Sequence, residues 1–134
     1  MEIRRVNPSS IHPPASYSHA VGVTDGTLWY LAGQVALDAE GNLVGEGDLR
    51  AQADQAFANI KAILTELAAD WSNVVKLTIY VVNYQPAQHR PILVHVLHDV
   101  FDRVQPPANT LLGIQSLARP GMMIEVEAVV AIAT

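Results

Sequence analysis

Apolar residues recur at Ala53, Ala56, Phe57, Ile60, Leu64, Leu67 and Ala68. Steps of three and four lay one apolar stripe along a helix. Asp48 stands just before it, a residue type that caps helix N-termini. Gln52, Asp54, Gln55, Asn59, Lys61 and Glu66 fall mostly off the stripe. A second stripe, Leu93, Val96, Leu97, Val100, Phe101 and Val104, predicts a second helix. Pro86 suits its first turn, Pro91 complicates its start, and Gln105-Pro106-Pro107 stops it.

Between the stripes, Val74 to Val82 is rich in β-branched residues and predicts a buried strand. Ala108 to Ile114 and Met122 to Ala133 predict two more, split by Arg119-Pro120-Gly121. Near the start, Glu2 to Val6 reads as a short strand. Asn7-Pro8-Ser9-Ser10 and Pro13-Pro14 then break regular structure. Ser18 to Thr24 and Thr27 to Gly33 read as two strands joined by Asp25-Gly26, the signal of a tight hairpin. Leu37 to Gly47 reads as a glycine-containing loop.

The order β-β-β-α-β-α-β-β predicts an α+β two-layer domain, with two helices covering one face of a sheet of five or six strands. Side chains alternate along a strand. Ile124, Val126, Ala128, Val130 and Ile132 suit the helix-covered face, as do Leu77, Ile79 and Val81. Glu125, Glu127, Val129, Ala131, Lys76, Thr78, Tyr80 and Val82 look the other way. That second face is too apolar to meet water alone. Identical copies packed face to face would suit it.

Composition sharpens this expectation. The 134 residues read as one domain, 1–134, with 50% hydrophobic and only 16% charged residues. Ordinary chains carry roughly 25% charged residues. The net charge of -5 argues against broad nucleic-acid binding. Without cysteine there is no disulfide, thiolate metal site or cysteine nucleophile. No apolar run has the length of a membrane span, and Met1-Glu2-Ile3-Arg4-Arg5-Val6 has no signal-peptide stretch, so the expected location is cytoplasmic.

Few constellations carry chemistry by themselves. His95, His98 and Asp99 share helical spacing, but without a glutamate motif they read as solvated or contact residues, and no metal is expected. Glu125 and Glu127 share a strand face and form a possible acid/base pair, or equally a solvated or interface pair. No phosphate-binding loop, dinucleotide fingerprint or nucleophile elbow is present. Tyr17 follows Pro13-Pro14-Ala15 where a loop enters a strand, a place to line a pocket or simply to pack.

Several segments in order resemble one family: Tyr17-Ser18-His19-Ala20-Val21, Leu31-Ala32-Gly33-Gln34-Val35, Asn59-Ile60-Lys61-Ala62-Ile63-Leu64 with Gln52, Val74 to Val81, Pro107-Ala108-Asn109-Thr110 and Ile124-Glu125-Val126-Glu127-Ala128. Together they resemble the RidA/YjgF family, also labelled L-PSP endoribonucleases or translation inhibitors. The resemblance implies a chorismate-mutase-like fold, with two helices on one face of a mixed sheet. It also implies a homotrimer with the sheets inside and ligand clefts between subunits. It further implies hydrolysis of reactive enamines and imines without metal or organic cofactor.

Matched by position, Tyr17 takes the place of the family's cleft tyrosine and Gly33 that of the glycine beside the ligand. Glu127 takes that of the glutamate that orders the attacking water. Thr110 matches a small hydroxyl residue, and Leu111 stands where cysteine is frequent. Asn109 occupies the place of the carboxylate-binding arginine. An amide carries no charge and makes no bidentate ion pair. The resemblance therefore implies a small-molecule cleft, its ligand an imine or carboxylate metabolite, with conventional 2-imino-acid deamination weakened. An active enamine or imine deaminase is the alternative, with Arg119 as a candidate substitute cation. Ranked below are an endoribonuclease or translation inhibitor, and a chaperone-like protein-binding module.

Overall fold

A computed structural model describes residues 1–134. Its strands are β1 (Glu2–Val6), β2 (Ala20–Thr24), β3 (Gly26–Tyr30), β4 (Val74–Val82), β5 (Ala108–Ile114) and β6 (Ile124–Ala133). Helix α1 spans Leu49–Glu66, α2 spans Pro86–Phe101, and a short 3-10 turn at Trp71–Asn73 leads into β4. The architecture is the expected α+β arrangement of two helices on a mixed sheet. No helix is long and apolar enough to cross a membrane.

The sheet under the helices holds four strands in the order β3-β6-β4-β5, not the five or six expected, because β1 and β2 pair only with each other. β4 and β5 run parallel, and β6 is antiparallel to both β3 and β4. β1 and β2 form a separate antiparallel ribbon. The expected hairpin at Asp25-Gly26 is therefore absent. β2 pairs with β1 while β3 pairs with β6, so the chain leaves one sheet for the other at this point. Asp25 adopts φ 55, so the dipeptide supplies its bend without folding the strands back on each other.

The stripes pack as expected. Ala53, Ala56, Phe57, Ile60 and Leu64 of α1 and Leu93, Val96, Leu97 and Phe101 of α2 are buried against Leu77, Ile79, Val81, Ile124, Val126, Ala128 and Val130 of the sheet. Trp71 stands between Phe57 and Phe101, with ring centroids 6.0 and 5.6 Å away. Asp48 caps α1 by accepting from the Ala51 amide at 3.0 Å. α2 begins at Pro86 and continues through Pro91. Arg50 of α1 ties down α2 by donating to Asp99 at 2.9 Å, which holds the Asp99 carboxyl below its ordinary range.

Gln52 departs from its expected polar position. It is fully buried. Its amide donates to the Gly121 and Gly45 carbonyls at 2.9 and 3.2 Å, and its oxygen accepts from the Met123 amide at 2.8 Å. One side chain thus pins the loop entering α1 and the loop entering β6.

Candidate functional site

Strand register decides which side chains meet on the sheet face away from the helices. Thr78 lies between Glu127 of β6 and Thr110 of β5, so these three form one row across the sheet. The next row holds Tyr80 opposite Glu125 and Leu112. Tyr80 reaches diagonally and donates its hydroxyl to Glu127 Oε1 at 2.6 Å. Lys76 reaches across to β5 and donates to Thr110 Oγ1 at 2.7 Å. Lys76, Thr78 and Glu127 line a depression of about 200 Å³ whose apolar wall includes Tyr30 and Val129.

This face is open in the single chain. Tyr30 is 77% exposed, and Leu28 and Leu112 are 42% and 41% exposed. Their strand partners place Leu28 with Ala131, Tyr30 with Val129 and Leu112 with Tyr80, all on that face.

Gly33 lies beside β6 because the chain after β3 rejoins it, with Gln34 and Val126 exchanging two backbone hydrogen bonds of 2.7 and 2.9 Å. A Cβ at Gly33 would lie 2.6 Å from Cδ of Glu125. The structure therefore brings Gly33 to Glu125, while Glu127 is joined to Tyr80.

The Tyr17 loop lies at the other end of β5. Ser18 bridges to Ala108, and the Ser18 amide donates to the Pro107 carbonyl at 2.9 Å. Tyr17 Oη and His12 Nε2 form a 2.6 Å hydrogen bond. Tyr17 lines a cavity of about 410 Å³ that does not include Gly33, Asn109 or Glu127.

Asn109 and Leu111 alternate with Thr110 and take the register of Leu77 and Ile79, so they look to the opposite side of β5. Asn109 Oδ1 is buried without a hydrogen-bond partner. Arg119 donates to the Gly41 carbonyl at 3.2 Å and borders a different depression, beside Ser116 and Met122. His95 and His98 are exposed on α2.

A profile of the family described as Endoribonuclease L-PSP matches residues 7–132. This chain belongs to that family. A 2-iminobutanoate/2-iminopropanoate deaminase of Dermatophagoides farinae is 32% identical over 125 residues, 93% of this chain and 92% of that protein. Among solved structures, the Rid-family protein YyfB of Yersinia pestis, titled a protein of unknown function, superposes with a TM-score of 0.92. It is 40% identical, over 98% of this chain and 100% of its own. RidA from an Antarctic Psychrobacter gives a TM-score of 0.69 at 28% identity, over 87% of this chain and 89% of its own. The two-layer architecture is the family's chorismate-mutase-like fold.

Sequence reasoning passed over two elements of this family member's surface. The Tyr80–Glu127 and Lys76–Thr110 pairs join residues 47 and 34 positions apart. Alternation places these residues on one face, but the pairing of strands far apart in sequence decides which ones touch. The one usable signal was polar Lys76, Thr78 and Tyr80 at every second position of an otherwise apolar strand.

Proposed function

We propose that this protein assembles as a homotrimer through the open sheet face and binds a small imine- or carboxylate-bearing metabolite in clefts at the subunit seams. The observation that carries this reading is that face itself. It combines exposed Leu28, Tyr30 and Leu112 with the internally satisfied Lys76–Thr110 and Tyr80–Glu127 pairs. Apolar surface of this kind gains by burial against a like surface. In this reading Tyr17, Gly33, Thr110 and Leu111 border the ligand, and the whole chain acts as one domain in the cytoplasm.

Glu127 is the proposed water-ordering group. Tyr80 engages Oε1, which leaves Oε2 for a water. In imine hydrolysis that water adds to the imine carbon, the C–N bond then breaks, and ammonia leaves a 2-oxo acid. Asn109 supplies an unpartnered amide where a guanidinium would hold the substrate carboxylate. We therefore propose that conventional 2-imino acids are poor substrates. The alternative reading, an active enamine or imine deaminase, is supported by the relatedness to the Dermatophagoides farinae deaminase.

The test pairs light scattering with hydrolysis of freshly generated 2-iminopropanoate by the wild type and Asn109→Arg. A trimer is expected, with slow wild-type turnover. The variant should gain about one to two decades in substrate affinity, the effect of one charge-assisted contact. Rapid wild-type hydrolysis favours the alternative, and a monomer removes the seam on which the cleft depends.

A further inference from the structure

The two carboxylates of the open sheet face stand in different surroundings. Glu127 accepts from the Tyr80 hydroxyl at 2.6 Å. Glu125, two positions earlier on β6, has its carboxyl folded over Gly33, where an added Cβ would meet Cδ at 2.6 Å and Oε2 at 2.7 Å. Glu125 is half-buried, yet no cation pairs with it, since both salt bridges of the molecule belong to Arg50. The Tyr80 phenol feels the charge of both carboxylates, so the two groups flank one side chain.

No guanidinium balances these groups. Position 109 carries an amide, turned to the other side of β5. Arg119 donates to the Gly41 carbonyl, Arg5 to the Pro106 carbonyl, and Arg50 holds Asp54 and Asp99. Lys76 is the cation of this face, and its Nζ is turned to Thr110 Oγ1 at 2.7 Å instead of to a carboxylate. The strand positions here thus set one ammonium against two carboxylates. Closing a neighbouring copy over them removes water and raises the cost of leaving them unpaired. An acidic ligand would add a further like charge, whereas a cationic one relieves the repulsion.

We propose that Glu125 is the counter-ion for the ligand's nitrogen, so that this site takes a cationic iminium bearing no acid group. The proposal rests on the reading above that a small imine binds beside Gly33 and Glu127, and it names the charge class of that imine. Gly33 leaves room for the Glu125 carboxyl, which any side chain there would push aside. Tyr30 and Val129, which line the depression with Glu127, suit the carbon substituents.

Water adds to the iminium carbon as Glu127 takes its proton, which leaves a neutral carbinolamine. Glu127 returns that proton to nitrogen. The C–N bond then breaks, its electron pair leaves on ammonia, and the hydroxyl proton passes to Glu127 as the carbonyl forms. Nitrogen is positive in the iminium and again in the protonated carbinolamine, so one fixed carboxylate at Glu125 stabilises both. Oxidation of a primary amine that lacks an acid group is the class of reaction that supplies such a substrate, once its imine product is protonated.

The test is a titration of the isotope-labelled full chain with acetamidinium, a stable planar cation shaped like an iminium, beside acetate at equal ionic strength. Saturable shifts at the Gly33 amide with acetamidinium, and none with acetate, are expected. Glu125→Gln should bind acetamidinium about tenfold more weakly, the loss of one charge-assisted contact. Gly33→Ala keeps the charge but displaces the carboxyl, and should weaken binding severalfold. Freshly generated ethanimine should be hydrolysed faster than 2-iminopropanoate. No saturable shift with acetamidinium, acetate binding as tightly, Glu125→Gln within twofold of the wild type, or the reverse order of hydrolysis overturns the proposal. Circular dichroism checks the fold of Glu125→Gln. If that variant does not fold, the wild-type selectivity and Gly33→Ala decide. A monomer that still shifts at Gly33 would refute the trimer and leave this assignment standing. A trimer that prefers acetate would do the reverse.

Discussion

Tyr80 donates its hydroxyl to Glu127 at 2.6 Å, joining the two middle strands on the face the helices leave open. The hydrogen bond favours the neutral phenol, burial adds to it, and the charges of Glu127 and Glu125 add further. The Tyr80 pKa is therefore raised above its ordinary value. A raised folded-state pKa contributes stability that is fully present below the unfolded phenol value, about 10, and is lost as pH rises through the raised value. Ultraviolet titration should show a late tyrosine ionisation that disappears in Tyr80→Phe and moves to lower pH in Glu127→Gln. A late step that survives Tyr80→Phe would assign it to another residue.

Gln52 offers a sharper test of the fold. Replacing it with leucine would leave the Gly121 carbonyl and the Met123 amide without their partner, while the Gly45 carbonyl would keep the Asp48 amide. Each buried unsatisfied group costs about 1–3 kcal/mol. Gln52→Leu should lose about 3 kcal/mol of stability in urea unfolding, whereas Asp54→Ala on the exposed side should change it by less than about 0.5 kcal/mol. Equal losses would mean that these bonds do not hold the two loops.

The open sheet face makes a third prediction. Tyr30 and Val129 are strand partners there, and Tyr30 is the most exposed large apolar residue in the chain. A charge buried in a subunit interface without a counter-charge is costly. Val129→Glu should therefore convert a trimer to a monomer in light scattering at equal protein concentration, with the far-ultraviolet circular dichroism unchanged. An intact trimer would place the contact elsewhere.

Much of the fold was legible because its signals are local. The α1 stripe, the Asp48 cap and the β-branched run of β4 each depend on neighbours within a few residues. Asp25-Gly26 misled because a sharp bend and a hairpin both favour a residue that tolerates positive φ. Nothing local says whether the flanking strands then pair with each other. Gln52 read as polar surface because one carbonyl it satisfies is 69 residues away. The site divides the same way. Alternation put Lys76, Thr78, Tyr80, Glu125 and Glu127 on one face, but Gly33 against Glu125 follows from long-range docking.

The place of β6 bears on how the chain is made. It is the last strand in sequence, yet it lies between β3 and β4. Until it emerges from the ribosome, β3 has no partner in the sheet and β4 is paired only through β5. A nascent chain stalled before Ile124 would present two unpaired edges rich in apolar residues, a template for pairing with other chains. Contacts between Gly26 and Ala133 span most of the polypeptide, which slows closure of the sheet. Translation is thus the stage at which this small domain is most vulnerable to aggregation, and a chaperone that shields nascent strands would help it most in that interval.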